Sequence, residues 1–277
     1  MKQRLLTVED VLAGYDAVSF LYPYVPPLSM WRAWEYAAYQ GYRLAEPVLD
    51  VGCGDGRYFR LLWPDIRNVT GVDKNTRAAE AARCSGVYHE VRIANAHEMP
   101  FSSGSFASAF ANCSLEHMDH LAEVLSSVHR CLKKGGLFVL SVVTDNFIEW
   151  STLPLFVSHL DTPERASSVQ RKYEQYHHLV NALPIGSWKE CLESSGFAVL
   201  EHVPMIPEVT SRLFLFMDNL WHIKKQTDGE VGDALYLFLT KLKDFPKAFR
   251  LVLQGVLSME RDWSVGSGAV FKARSLE

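Results

Sequence analysis

Residues 48–56 have the sequence Val-Leu-Asp-Val-Gly-Cys-Gly-Asp-Gly, and this stretch decides the fold of the 277-residue chain. A segment suited to a short buried strand leads directly into a turn in which Gly52, Gly54 and Gly56 recur at every second position. Glycine lets a backbone turn sharply and lets a ligand lie against it, because it has no Cβ atom. The dinucleotide-binding pattern would need its third glycine at position 57, where this chain has Arg57. The stretch therefore predicts a strand and a ligand-binding turn that is not built for NAD.

Two acidic residues stand where a nucleotide-binding sheet would use them. Asp50 precedes the glycine turn, and Val69–Asp73 predicts a second strand that ends on an acid 21 residues beyond Gly52. In α/β nucleotide-binding folds, an acid about 20 residues past the first glycine holds the ribose hydroxyls. Two carboxylate oxygens can accept hydrogen bonds from two neighbouring hydroxyls. Asp73 is therefore the predicted ribose ligand.

Further segments continue an alternation of helices and strands. Residues 121–132 carry apolar side chains at a spacing of three to four, which predicts a helix. Lys133-Lys134-Gly135-Gly136 is expected to end that helix, with cations in the last turn and glycine beyond it. The apolar residues 137–143 predict a fifth strand of the kind buried in parallel sheets, and residues 269–273 predict the last strand.

The order of these and further segments resembles that of the class I S-adenosylmethionine (SAM)-dependent methyltransferases, in particular their "type 11" group. The D-x-G-x-G-x-G stretch is similar to the first motif of that family, and residues 93–101 resemble its third-strand segment. Residues 106–117 resemble its fourth strand with the following Leu-Glu-His, and residues 188–197 resemble its late helix and Gly-Phe entry to strand six. The resemblance covers residues 46–145 and, less closely, 186–206. It implies a Rossmann-like, seven-stranded, mostly parallel α/β sheet.

The resemblance also implies a cofactor, SAM, and its product S-adenosylhomocysteine. By resemblance, position 95 reaches the adenine amino group; Asn95 replaces the usual acid there, and its carbonyl can still accept that hydrogen bond. Asn112 stands at the carboxyl end of the fourth strand, which faces the ligand crevice in such sheets, although a turn cap is the alternative. The residues predicted to bind the cofactor are Asp50, Gly52, Cys53, Gly54, Asp73, Lys74, Asn95, Ala96 and Asn112.

Composition restricts the class of protein. Apolar residues make up 48% and aromatic residues 12% of the chain, which suits a folded core. A net charge of −4 without a long basic run argues against a nucleic-acid partner. The five widely spaced cysteines contain no C-x-x-C pair, which predicts free thiols in a reducing compartment and no metal site. Acids near the N-terminus argue against a signal peptide, and no apolar run approaches the ~18 residues of a membrane span, so a soluble, cytoplasmic protein is expected.

Three segments lie outside the SAM-binding core, which is predicted to comprise residues 46–206 and 265–277. Residues 1–45 predict an N-terminal helical arm, and residues 145–185 and 207–264 predict insertions that cover the substrate. A connection as long as 207–264 without structure would be improbable, and its apolar periodicity predicts a helical lid before the last strand. The same helices could instead bury their apolar side chains against a second subunit, in a homodimer.

The N-terminal arm carries most of the aromatic candidates. Thr7 is a candidate cap for a first helix, and the prolines of residues 22–27 predict an extended break after it. Tyr22 and Tyr24 in that break are predicted to contact SAM or the substrate, with packing as the alternative. A second helical stretch contains Trp31, Trp34, Tyr36, Tyr39 and Tyr42. Packing is the favoured interpretation of this series, over an aromatic cage for a cationic substrate.

The chemistry of methyl transfer asks little of the protein. The sulfonium of SAM makes its methyl group electrophilic, so the enzyme must position a nucleophile and exclude water. A hydroxyl acceptor would also gain from a general base. His117, directly after the fourth strand, is the candidate base, although a packing and hydrogen-bonding role is the favoured interpretation. His177 in the second segment is a candidate substrate contact, although an ordinary surface histidine is the favoured interpretation.

The sequence therefore predicts a methyltransferase that acts on an oxygen, nitrogen or carbon of a small, apolar or aromatic metabolite. One alternative is a SAM-binding sensor or interaction protein that transfers no methyl group. Another is a methyltransferase that acts on a macromolecule. A small-molecule enzyme needs an enclosed cavity next to the methyl group, whereas an enzyme for macromolecules would have an open, charged groove.

Overall fold

A mixed sheet of eight strands forms the centre of the computed structural model, which describes residues 1–225 and 228–276. In chain order the strands are β1 (Lys2–Gln3), β2 (Val48–Val51), β3 (Val69–Asp73), β4 (Glu90–Ile93), β5 (Phe106–Asn112), β6 (Leu132–Val143), β7 (Phe197–Met205) and β8 (Gly268–Ser275). Their order across the sheet is β1-β7-β8-β6-β5-β2-β3-β4. Strand β8 runs antiparallel to its neighbours β6 and β7, and the other pairs are parallel.

Helices cover both faces of this sheet. They are α1 (Val8–Val18), α2 (Pro26–Tyr39), α3 (Arg57–Leu62), α4 (Thr76–Cys84), α5 (Leu121–Cys131), α6 (Asn146–Glu149), α7 (Leu153–Leu160), α8 (Pro163–His177), α9 (Ile185–Ser194), α10 (Glu208–Trp221), α11 (Val231–Leu239) and α12 (Phe245–Leu257). Short 3₁₀ turns follow β4 at Ala96–Glu98 and β5 at Leu115–His117. In the described part of the chain, no helix combines the length and apolarity that crossing a lipid bilayer requires.

The predicted Rossmann-like, mostly parallel sheet is confirmed, but it has one strand more than the seven expected. The additional strand is β1, whose two residues pair in parallel with Glu201 and His202 of β7. Two residues are too short for the period-two pattern by which a strand is recognised in a sequence. The predicted strand Val69–Asp73 is confirmed as β3, and the predicted glycine turn follows β2 directly.

The cap predicted for the first helix is also confirmed. The Thr7 hydroxyl accepts a hydrogen bond from the Asp10 backbone N–H at 3.1 Å, and the Asp10 carboxylate accepts one from the Thr7 backbone N–H at 2.8 Å. This reciprocal capping box satisfies backbone donors that the first turn of a helix leaves without partners. It starts α1 at a defined residue.

Two predicted boundaries were wrong. Helix α2 already begins at Pro26, so the extended break ends before Pro26 and Pro27. Proline is tolerated in the first turn of a helix, because the backbone N–H that it lacks would have no intrahelical partner there. Residues 133–136 belong to β6 and do not end the preceding helix. Gly135 has a φ of 75°, and the pairing of β5 with β6 shifts register between Phe106 and Ser108. The two glycines, whose sequence resembles a helix end, therefore lie at an irregularity of the strand.

The arm and the insertion before the last strand share one core. The ring of Trp31 in α2 lies 5.3 Å from that of Phe214 in α10 and 5.7 Å from that of Phe147 in α6, centroid to centroid. Leu253 and Leu257 of α12, a helix that was not predicted, belong to the same buried cluster. The packing interpretation of the aromatic series is confirmed for its buried members, although Tyr42 lies beyond the end of α2.

Candidate active site

Three adjoining cavities lie at the carboxyl ends of the parallel strands. The strand-end cavity, of about 430 Å³, lies beside Gly52, Asp73, Asn95 and His117. The glycine cavity, of about 110 Å³, lies beside the turn 52–56. The helical cavity, of about 430 Å³, lies between α2, α6, the end of α8 and α10. Ligands of open α/β sheets bind at this edge, outside the carboxyl ends of the strands.

The strand-end cavity brings together several residues that the sequence predicted for the cofactor. Gly52, Asp73, Lys74, Asn95 and Ala96 all lie in its wall. One Asp73 oxygen accepts a hydrogen bond from the Gly54 N–H at 3.1 Å, and the other accepts one from the Asn75 N–H at 2.8 Å. Because each carboxylate oxygen can accept two hydrogen bonds, Asp73 can hold the glycine turn and still accept from a ligand.

The glycine cavity is lined by the remaining predicted cofactor residues, namely Asp50, Cys53, Gly54 and Asn112. It shares Gly52 with the strand-end cavity. Gly54 has a φ of 53°, and a Cβ atom on it would meet no atom within 4 Å, so open space lies directly against this backbone. A Cβ on Gly52 would lie only 2.6 Å from the Cβ of Ser114, which explains the glycine there. Burial raises the pKa of Asp50 to about 7, and its carboxyl accepts a hydrogen bond from the Tyr88 hydroxyl at 2.7 Å.

A buried polar network that the sequence analysis missed separates the glycine cavity from the helical cavity. Glu35 of α2 is fully buried, and its carboxylate pairs with Arg32 at 2.5 Å and accepts a hydrogen bond from the Ser141 hydroxyl at 2.7 Å. Asn112 donates to the same carboxylate at 3.3 Å and accepts from the Tyr39 hydroxyl at 2.8 Å. The only local signal is a charged pair three residues apart, each member of which directly follows a tryptophan of a largely apolar helix.

Arg32 contributes to the walls of both cavities. Its Nη1 pairs with Glu35, whereas its Nε is buried and has no hydrogen-bond partner among residues 1–225 and 228–276. Buried donors in native proteins are nearly always paired. The Nε of Arg32 is therefore a donor that an anionic or carbonyl group could use.

We expect Glu35→Gln to destabilise the protein by about 3–5 kcal/mol, because it leaves the buried Arg32 cation without its counter-charge. Urea unfolding followed by circular dichroism measures the change. Glu80→Gln, an exposed change within α4, is the matched control and should stay within about 0.5 kcal/mol of the wild type. An equally small change for Glu35→Gln would mean that the network does not hold α2 against the sheet.

Cys113 and His117 lie in the walls of both the strand-end cavity and the helical cavity. The backbone of Cys113 has a φ of 44°, a left-handed conformation that costs a non-glycine residue energy and that occurs preferentially at functional sites. His117 has a buried Nδ1 without a hydrogen-bond partner in the described residues, and its Nε2 lies 3.8 Å from a Glu116 oxygen. The two large cavities therefore meet at these side chains.

Burial changes the protonation of the groups at this junction. Burial lowers the pKa of His117, so its imidazole is neutral at neutral pH. Burial raises the pKa of Glu116 to about 8, so that carboxyl is largely protonated at the same pH. The imidazole of His117 can therefore accept a proton directly, because it does not first have to lose one.

The end of the 145–185 segment holds the His117 turn in place. The Asn181 side-chain amide donates to the carbonyl oxygens of Leu115 at 2.9 Å and Met118 at 2.7 Å. The backbone N–H of Val180 donates to the Glu116 carbonyl oxygen at 3.0 Å. The segment therefore fixes the backbone on which the candidate base stands.

The substrate contacts predicted from the sequence end up in different places. His177 lies in the wall of the helical cavity, and burial lowers its pKa to about 3. Tyr22 lies in the wall of the glycine cavity, on the side of the cofactor motifs. Tyr24 lies outside these three cavities, with its ring 6.2 Å from that of Tyr236 in α11. A proline-rich break shows that the chain turns there, but it does not show which side chain points inward.

Comparison with known sequences agrees with the geometry. A family model described as a methyltransferase domain matches residues 49–140, from the glycine turn to the middle of β6. The chain is 28% identical to the O-methyltransferase resE of Aspergillus sclerotiorum over 259 residues, which cover 87% of this chain and 89% of that protein. It is 26% identical to a demethylmenaquinone methyltransferase of Symbiobacterium thermophilum over 54% of this chain and 62% of that protein, which is less than two thirds of the relative.

Comparison with solved structures finds the same fold. A SAM-dependent methyltransferase from Thermotoga maritima superposes with a TM-score of 0.55, covering 95% of this chain and 94% of that chain at 16% identity. At that identity the likeness shows the fold alone. The family match, however, spans the strands and turns that line the strand-end cavity, and the relative aligned over 89% of its length is a methyltransferase. The chain therefore contains a methyltransferase domain, and the family match, the relative and the fold together support a class I SAM-dependent methyltransferase.

Proposed function

We propose that the enzyme transfers a methyl group from SAM to a hydroxyl oxygen of a small, apolar or aromatic molecule that binds in the helical cavity. The observation that carries the proposal is the junction at Cys113 and His117, where the helical cavity meets the strand-end cavity. Trp31, Phe147 and Phe214 supply an apolar lining, and a volume of about 430 Å³ suits a small molecule. The arm and both insertions contribute residues to its wall, most of them apolar.

The cofactor fits the other two cavities, judged by the groups that they present. We propose that Asp73, Lys74, Asn95 and Ala96 hold the adenosyl part, and that Asp50, Gly52, Cys53, Gly54, Asn112 and Arg32 hold the amino-acid part. The free Nε of Arg32 suits a carboxylate, and the open space against Gly54 admits a ligand backbone. When bound, SAM supplies an electrophilic methyl group on its sulfonium.

His117 is proposed as the group that takes the proton from the acceptor hydroxyl. It lies at the junction of the two cavities, it is neutral, and its Nδ1 has no partner in the described residues. A hydroxyl is a poor nucleophile until it loses its proton, and a positioned base contributes typically 10²–10⁴-fold to such a step. The relative that aligns over most of both chains is an O-methyltransferase, which supports oxygen as the acceptor atom.

We expect His117→Gln to lower kcat by about 10²-fold, because glutamine fills a similar space but does not accept the proton. The dissociation constant of SAM, measured by calorimetry, should change little. His89→Gln, at an exposed position away from the cavities, is the matched control and should keep the wild-type kcat. A wild-type kcat in His117→Gln would leave His117 with a packing role only.

The acceptor atom is tested by locating the transferred group. Purified enzyme is incubated with SAM that carries a deuterated methyl group and with a panel of apolar and aromatic alcohols, phenols and amines. Fragmentation of the products in a mass spectrometer then shows which atom carries the label. Label on a hydroxyl oxygen is the expected result, and label confined to nitrogen or carbon would overturn the choice of oxygen.

A homodimer and a cytoplasmic location stay predictions. Helix α11 exposes apolar side chains, with Leu237 63% and Phe238 56% exposed, and a second subunit would cover such a surface. The molar mass of the protein in solution, measured by light scattering, decides the first prediction; a mass of one chain at all concentrations would contradict it.

A further inference from the structure

Three potential metal ligands from two different insertions converge on one wall of the helical cavity. His177 is the last residue of α8, whereas Asp218 and His222 lie one turn apart at the end of α10. The Nε2 atom of His177 lies 3.5 Å from one Asp218 oxygen, and the Nε2 atom of His222 lies 3.7 Å from the other. The ligand atoms of all three side chains lie within 4.8 Å of one another.

We propose that His177, Asp218 and His222 bind a divalent transition-metal ion in the wall of the helical cavity. Two imidazoles and one carboxylate are a ligand set that suits zinc, cobalt and iron in their divalent states. Bonds of about 2.0–2.2 Å to such an ion need only small rotations of side chains that are already this close together. No metal was predicted from the sequence because the cysteines form no C-x-x-C pair, and His177 and Asp218 are far apart in the chain.

The first independent observation is a nitrogen without a partner. The Nε2 atom of His177 is buried and makes no hydrogen bond within the part of the chain that the structure describes. Its ring packs against those of Tyr173 and His222, with centroids 4.5 and 5.0 Å away, which holds the ring in one orientation. Buried polar atoms in native proteins nearly always have a partner. A bound metal ion would be the partner of this nitrogen.

The second observation is the set of residues behind the ligands. A Glu230 oxygen lies 3.0 Å from Nδ1 of His222, and the Tyr173 hydroxyl donates to Asp218 at 2.5 Å. Glu230 is itself held by the Tyr176 hydroxyl at 2.8 Å and by the Lys224 ammonium at 2.6 Å. A carboxylate on the far nitrogen of a histidine directs Nε2 to the metal and raises its basicity, as in many metalloproteins.

The site has an open side toward the helical cavity, whose wall includes all three ligands. Three protein ligands leave a coordination position for water or for an oxygen of a bound molecule. If the cavity holds the acceptor, as the proposed function has it, the ion would orient an oxygen of that acceptor. Metal binding itself does not depend on that role, so it can be tested on the protein alone.

The test is a titration of the purified full chain, stripped with a chelator, with Co²⁺ followed by visible absorption and with Zn²⁺ followed by calorimetry. One ion per chain is expected. His177→Asn, Asp218→Asn and His222→Asn should each weaken Zn²⁺ binding more than Glu230→Gln, for which a loss of about 10–100-fold is expected.

His178→Asn is the matched control, because His178 is the next residue, is exposed and lies beside Asp119. It should bind both ions as the wild type does. SAM affinity of every variant, measured by calorimetry, shows whether the variant is folded. A wild type that binds neither ion, or a folded His177→Asn protein that binds Zn²⁺ as tightly as the wild type, would overturn the proposal and leave a hydrogen-bonded cluster.

Discussion

Replacing Leu179 with Trp is expected to lower kcat/KM for methyl transfer by about 10²-fold or more. Leu179 lines the helical cavity and neither of the other two. An indole at this position would occupy space that the proposed acceptor needs. A displacement of about 1 Å between reacting groups can already cost 10²-fold in rate. Steady-state kinetics measure the loss, and calorimetry should show an unchanged affinity for SAM.

Val180→Trp is the control for this experiment. The Val180 side chain is 46% exposed and does not line the helical cavity, although its backbone N–H donates to the Glu116 carbonyl oxygen. The added indole should therefore extend into solvent, and kcat/KM should stay within about twofold of the wild type. A wild-type rate in Leu179→Trp would show that the acceptor binds elsewhere.

Asp73→Ala is expected to weaken the binding of SAM and S-adenosylhomocysteine at least tenfold. It removes a charged acceptor for the ribose hydroxyls, and hydrogen bonds to charged groups contribute about 1.5–3 kcal/mol each. The structure adds a second reason, because the same carboxylate holds the Gly54 N–H and therefore the shape of the glycine turn. Calorimetry of both ligands is the measurement.

Asp65→Ala, which removes an exposed carboxylate outside the cavity walls, is the comparison and should bind SAM as the wild type does. If Asp73→Ala also kept the wild-type affinity, the cofactor would not lie beside β3. The assignment of the strand-end cavity to the adenosyl part would then have to be abandoned.

The parts of the structure that the sequence predicted depend on local signals. An apolar run followed by glycines at every second position specifies β2 and its turn, because few residues tolerate the positive φ of 53° at Gly54. The acid at the end of β3 follows at a distance that the fold itself sets. For this reason the residues around the strand-end and glycine cavities could be named in advance.

The parts that were missed depend on contacts between distant segments. Glu35 has an apolar neighbourhood in sequence, and its partners Asn112 and Ser141 are brought to it only by the packing of α2 across the sheet. Asp218 and His177 likewise meet only because the end of α8 contacts α10. The periodicity and residue spacing within one segment do not predict side-chain contacts between distant segments.

The sequence match identifies a methyltransferase domain but not the acceptor, because one fold can host many reactions. The helical cavity, to which the arm and the insertions contribute, is where the acceptor is proposed to bind. A reaction that depends on this cavity would respond to Leu179 and His117. A reaction elsewhere on the surface would respond to neither.

The central claim is that the chain moves a methyl group from SAM to a small molecule in the helical cavity. The most direct measurement is incubation of the enzyme with trideuteromethyl-labelled SAM and a metabolite extract, followed by mass spectrometry of both small molecules and protein. The account predicts a small molecule that gains one labelled methyl group, with an equal amount of S-adenosylhomocysteine, in the wild type but not in Leu179→Trp. Label found only on macromolecules, or tight SAM binding without any labelled small molecule, would contradict it.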